Sequence, residues 1–221
     1  MQPLADDEVL DVLDAEDLHT VGQKSRVQVH RDHDWHGIVF VWSAWGSAGS
    51  HRMLLQQRGR EGDPFAQQVD ALAGGHIGTG ETFVEAARRE LMEEVGLHAR
   101  GDDLVELGSS RTERPTVECR RVVQHLLLYP QPLDIDDMQF SAEVDGFVVV
   151  DLQEFIDLVH GRRQQLSAQA RYARQGGRLR TIELARAAVH GYPDEILDAF
   201  RRSLVAISTW LRDGYVDTAH F

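Results

Sequence analysis

The stretch from Gly75 to Leu97 constrains this chain more than any other. It reads Gly75, five residues, Glu81, seven residues, then Arg89-Glu90-Leu91-Met92-Glu93-Glu94-Val95-Gly96-Leu97. This spacing predicts one helix with both ends marked. Thr82 is placed to cap the start, Glu85 three residues later closes a capping box, and Gly96 stands where the helix must stop. Val84, Ala87, Leu91 and Val95 recur at helical spacing and form the stripe to be buried. Residues three and four apart are neighbours on a helix, so Glu90 and Glu94 share a face and Glu93 lies beside them. Like charges on one turn repel unless something positive sits among them. An oxygen-rich cluster without soft ligands suits Mg2+ or Mn2+, which in turn grips phosphates.

This pattern resembles the Nudix box, the signature of the Nudix hydrolases, written G-x5-E-x7-R-E-U-x-E-E-x-G-U with U an aliphatic residue. Every fixed position matches, including the apolar Leu91 and Leu97. An acidic helix is ordinarily a solvated surface face, but nine constrained positions at fixed spacing set this one apart. The resemblance implies an α/β fold, the Nudix-type α/β/α sandwich with a mixed sheet.

Composition narrows the classes further. The 221 residues suffice for one large domain or a domain with an appendage. A net charge of −13 argues against nucleic acid as a partner, whose backbone demands a basic surface. It leaves room for a small anionic substrate, because a metal neutralises the site locally. The single cysteine, Cys119, excludes an internal disulfide. The acidic start from Met1 to Glu8 does not resemble a secretion signal, and no apolar run is long enough to cross a bilayer, so a cytoplasmic protein without membrane contact is expected.

Along the chain, Glu8 to Gly22 reads as a hairpin around an Asp-rich turn. Ile38–Trp45 and Arg52–Gln57 are apolar strand runs, with a hairpin loop at Gly46, Gly49 and Ser50. Strands are expected at Leu104–Ser109, Val122–Tyr129 and Val144–Val150, and a helix over Asp151–Arg162. The domain division expected is 1–160, carrying the box and the N-terminal hairpin, and 161–221, a helical C-terminal extension packed on it. Within that extension, Leu179–Ala188 and Pro193–Arg212 show apolar residues at helical spacing. Its amphipathic helices make a homodimer plausible.

Beyond the box, His30-Arg-Asp-His-Asp-Trp-His36, the strand ending Leu54-Leu55-Gln56-Gln57-Arg58, and Ala73-Gly74-Gly75-His76 resemble the isopentenyl diphosphate isomerase-like branch of the family. That branch contains isomerases and diphosphate hydrolases. The isomerases place a cysteine immediately before the Gly-His pair and use a later Glu-x-Glu. The matching places are Gly74 and Glu118-Cys119-Arg120, so both proton-handling groups are wanting and hydrolysis is the expected chemistry. The relatives' second metal position corresponds to His30, His36 and His76. With no thiolate and no second carboxylate beside them, a hydrogen-bonded structural role or contact with substrate is expected instead.

The resemblance then assigns roles. Glu90 and Glu94 are the main ligands of Mg2+ (or Mn2+), with Glu93 a further ligand or the base. Glu143, just before a strand, is the other candidate base. Arg89 pairs with Glu81 in support, in a two-pronged geometry that lysine cannot copy. Arg58, Gly75 and His76 are the substrate-binding candidates. Loops Gly59–Gln67 and Arg111–Glu118 are expected to carry specificity. The implied activity is hydrolysis of a phosphoanhydride in a nucleoside diphosphate-linked or similar small diphosphate compound. The competing readings are a non-catalytic diphosphate sensor and, less favoured, an isomerase.

Overall fold

A computed structural model describes residues 8–47, 49–59, 63, 65–113 and 121–216. The N-terminal hairpin forms as expected: β1 (Val9–Leu13) pairs antiparallel with β2 (Thr20–Ser25). Ser25 then caps a short helix, α1 (Arg26–Asp32), and Val29 closes a small core with Leu10 and Val12. The hairpin leans on the loop before the box helix, where Thr79 N–H donates to the Val9 carbonyl at 3.2 Å.

Two sheets carry the rest. In the first, β3 (His36–Ser43) lies between β7 (Ala73–His76) and β9 (Arg121–Tyr129), antiparallel to β7 and parallel to β9, and β8 (Val105–Glu113) forms the edge. In the second, β5 (Ser50–Arg58) pairs with β10 (Val144–Asp151), and β4 (Trp45–Ser47) and β6 (Val69–Asp70) line its other side. The hairpin at Gly46 and Gly49 is therefore made by β4 and β5, while Ile38–Ser43 belongs to the other sheet. Ser43 stitches the two at the crossing: its hydroxyl donates to the Leu54 carbonyl at 2.7 Å and accepts from Leu54 N–H at 2.9 Å.

Alternation along the strands sends odd and even residues to opposite faces. One face packs on the box helix α2 (Phe83–Val95) through Val39, Val41, Leu54, Leu127 and Phe147. The other packs on α3 (Leu152–Val159) and α4 (Asp194–Asp213) through Trp42, Met53, Leu55 and Val148, with Phe200 of α4 against Trp42. The result is an α/β/α sandwich with mixed strand directions. No helix among the described residues is long and apolar enough to cross a membrane.

The helical reading of the C-terminal extension needs one correction. Residues 194–213 are helical, but β11 (Gln165–Tyr172) and β12 (Arg180–Ala185) are strands that extend the second sheet beyond β10. In β11, Leu166, Ala168 and Ala170 are buried in strict alternation, and in β12 Leu184 is buried with Ile182 packed nearby. This period of two, together with the open edge of β10, outweighs the helical spacing of Leu179–Ala188.

Candidate active site

The box helix begins and ends where its residues dictate. Thr82 Oγ1 accepts from Glu85 N–H at 3.3 Å, and Glu85 returns the contact by accepting from Thr82 N–H at 2.9 Å. Gly96 closes the helix in the left-handed region at φ 73°. Ala87, Leu91 and Val95 are fully buried and tie the helix to the sheet.

Packing of that stripe divides the three carboxylates. Glu90 and Glu94 are carried under the sheet edge, at 8% and 7% exposure, whereas the Glu93 side chain is 44% exposed. Glu94 Oε2 accepts from Gln56 Nε2 at 3.0 Å and from the Gly74 N–H at 3.2 Å. Glu90 lies against Gly75: a Cβ placed there would fall 2.1 Å from Glu90 Oε1, so a larger residue would have to displace the carboxylate. Burial, opposed in part by Arg89, raises Glu90 to about 7. Burial and then the neighbouring charges of Glu90 and Glu143 raise Glu94 well above the ordinary carboxylate range.

Arg89 is the cation at this site. Its Nε and Nη2 donate to Glu81 at 3.0 and 2.9 Å, Nη1 donates to Glu90 at 2.7 Å, and Nη2 also donates to the His76 carbonyl at 2.9 Å. A weaker contact of 3.4 Å reaches Glu93. Glu81 in turn accepts from Gly78 N–H at 3.0 Å, which fixes the loop preceding the helix.

Glu143 sits on the exposed approach to β10, with its carbonyl accepting from Gly59 N–H at 2.9 Å. Its charge reaches Glu94. Arg58, expected at a phosphate, is committed elsewhere: Nε donates to Asp63 at 2.7 Å and Nη1 to Asp70 at 3.1 Å. Two carboxylates thus offset part of its charge, and the remainder is felt at Glu94.

The three histidines that the family resemblance groups are distant along the chain and meet in the fold. His30 from α1, His36 from β3 and His76 from β7 are all buried, and one ligand atom of each lies within 4.8 Å of the others. His30 and His76 approach Nε2 to Nε2 at 3.2 Å, which requires a donor on one ring and an acceptor on the other. Burial, then the nearness of His76, pushes His30 down to about 4. Glu8 Oε2 lies 3.5 Å from His76 Nδ1. His33 is not part of this triangle and takes a left-handed backbone turn at φ 57°. An open groove of about 680 Å³ lies elsewhere, between β8 and α4, lined by Ser109, Arg111, Glu113, Val123, Glu195 and Arg202 and by none of the acid cluster. The expected specificity loop Arg111–Glu118 runs from its rim, but 114–120, with Glu118 and Cys119, lies outside the described residues.

Comparison with known proteins identifies the family. Residues 34–170 match the NUDIX domain family. An uncharacterized Nudix hydrolase of Clostridium acetobutylicum is 27% identical over 175 residues, covering 78% of this chain and 84% of that protein. Nudix hydrolase 3 of Arabidopsis thaliana is 30% identical over 156 residues, 67% of this chain but 20% of that longer protein. Among solved structures, DR0079 from Deinococcus radiodurans superposes with a TM-score of 0.53 at 19% identity, over 70% of this chain and 90% of that one, a likeness of fold.

Proposed function

The chain belongs to the Nudix family and is a Nudix hydrolase, and on that footing we propose that it cleaves a phosphoanhydride bond in a nucleoside diphosphate-linked or related small diphosphate compound with the help of Mg2+ or Mn2+. The observation that carries this reading is the buried pair Glu90 and Glu94. Two carboxylates sealed from water and both raised by burial form an unstable pair unless protonated or shared by a cation. The donor set is all oxygen, which fits a hard divalent ion.

In this reading Glu90 and Glu94 would hold the ion, and Gln56 and the Gly74 N–H fix the Glu94 carboxylate. A divalent ion there would supply charge neutralisation for the diphosphate and a more acidic water molecule. Arg89 keeps Glu81, Glu90 and the His76 carbonyl in one frame. Glu93, the solvent-facing member, is our choice for the group that takes the water's proton, with Glu143 as the other candidate. Gly75 leaves the backbone open beside Glu90, and His76 faces the histidine triangle rather than the acid cluster.

Hydrolysis is preferred to isomerisation on a steric ground. At Gly74 a Cβ would meet the Val39 carbonyl oxygen at 2.9 Å, so the strand has no room for the proton-carrying side chain an isomerase needs. The histidine triangle fits a second ion of borderline character, with Glu8 placed to hold the His76 tautomer. The test is a Mg2+-supplemented screen of nucleotide, dinucleotide and isoprenoid diphosphates with phosphate detection. Turnover that needs divalent metal is expected, with no dimethylallyl product from isopentenyl diphosphate. Binding across the panel without turnover would replace this reading with that of a sensor.

A further inference from the structure

The matched family domain ends at residue 170, yet one side chain beyond it reaches back to the site. Tyr192, on the segment leading into α4, is buried. Its hydroxyl donates to Asp70 Oδ2 at 3.0 Å, the same oxygen that accepts from Arg58 Nη1 at 3.1 Å. One residue earlier, Gly191 N–H donates to Gln68 Oε1 at 2.9 Å. The Tyr192 ring also packs on Phe65, with centroids 5.0 Å apart, and on Phe200 of α4 at 5.3 Å. Three contacts thus grip the turn over residues 65–70 that lies beside Arg58.

That turn borders the acid cluster. Alternate residues of a strand share a face, so Gln56 and Arg58 look the same way from β5. Gln56 holds Glu94, and Asp70 is its register partner on β6. Arg58 therefore stands one step along from the residue that touches Glu94. Asp63 and Asp70 offset part of its charge, and the network also supplies shape, a fixed wall beside the carboxylates.

We propose that Tyr192 is a positioning residue: through Asp70 its hydroxyl fixes Arg58 and the turn up to Gln68, so that a segment outside the matched domain sets how tightly the site holds its substrate. The proposal rests on reading Glu90 and Glu94 as the hydrolytic centre. Tyr192→Phe in the full chain keeps the ring and its packing and removes only the hydroxyl. Two measurements test it, with ADP-ribose, a nucleoside diphosphate-linked sugar, as the probe.

Hydrogen exchange at the amides of Arg58 and Gln67, which bond across to the Gln68 and Arg58 carbonyls, and of Gln68, which bonds to the Phe65 carbonyl, should quicken about tenfold, with the box-helix amides unchanged. Under Mg2+, KM for ADP-ribose should rise about tenfold while kcat stays within about twofold. Asp70→Asn should produce the same KM rise, and the double variant should add nothing to it. Unchanged exchange would overturn the clamp, and faster exchange with an unchanged KM would reduce it to a structural contact and overturn it equally. Wild-type protein that leaves ADP-ribose intact would exclude that compound as the substrate, and KM would then be read with the diphosphate that the screen above identifies. No turnover of any diphosphate in that screen would count against the hydrolase reading, and unchanged exchange would still overturn the clamp.

Discussion

Arg89 grips Glu81 with two nearly parallel hydrogen bonds, 3.0 and 2.9 Å long, joining the middle of the box helix to the loop before it. The same guanidinium touches Glu90, so the scaffold and the acid cluster share one cation. Arg89→Lys keeps the charge but has no fork to match a carboxylate. We expect stability to fall by about 1–3 kcal/mol in urea titrations, with at least about a tenfold loss of metal-dependent turnover. A lysine variant as active as the wild type would show that the charge alone suffices.

Glu94→Gln separates catalysis from folding. The amide matches the carboxylate in shape and carries no charge to bury, so metal-free thermal stability should be equal or higher. Turnover should fall by roughly a hundredfold or more, because a ligand oxyanion is lost. Melting curves and single-substrate kinetics on the same preparation check both halves. Undiminished turnover would reject Glu94 as a ligand.

The pH dependence of the metal-free protein follows from burial. Glu90 is raised to about 7 and Glu94 further above the usual range. For an acid raised on folding, the stabilisation is complete below the unfolded value and drains away as pH climbs through the folded one. His30, pushed down to about 4, acts in the opposite sense over lower pH. Comparing wild type with Glu90→Gln isolates the carboxyl contribution. In EDTA the wild type should lose up to about 3 kcal/mol relative to that variant between about pH 5 and pH 8. Saturating Mg2+ should cancel the loss, since the ion takes the deprotonated form. A relative stability that grew with pH would contradict the burial of this pair.

Gly75→Ala tests the close approach of strand and helix. The added methyl meets Glu90 Oε1 at 2.1 Å, so the carboxylate must swing away or the helix must shift. A loss of about 1–3 kcal/mol is expected from the overpacking. Mn2+ affinity, read by titration calorimetry, should weaken at least about tenfold through the displaced ligand. Unaltered affinity would place the ion away from Glu90.

The histidine triangle yields a metal-content prediction. Protein purified without chelator should carry a borderline ion such as Zn2+ in addition to any Mg2+, and His36→Gln should lose it while keeping Mg2+-dependent behaviour at the acid cluster. Elemental analysis of both proteins measures this. Equal metal content would leave the triangle as a hydrogen-bonded core.

What could be read from the residues in order was whatever is local. The box helix, its Thr82–Glu85 cap, its Gly96 stop and the carboxylates on one side of it all follow from spacing within a single turn or two, where the backbone geometry is the same in any protein. Strands such as Val144–Val150 were legible for the same reason. The alternation of Leu166, Ala168 and Ala170 is equally local and marks Gln165–Tyr172 as a strand inside the extension expected to be helical.

Tertiary structure decided what distance along the chain conceals. Only the packing of Leu91 and Val95 on the sheet turns Glu90 and Glu94 inward and leaves Glu93 toward water. His30, His36 and His76 meet because α1, β3 and β7 converge, and Arg58 is claimed by Asp63 and Asp70 because β6 folds back beside β5. Within Leu179–Ala188, Arg180–Ala185 is strand because β11 presents an open edge of amides and carbonyls to pair, a demand no local periodicity encodes.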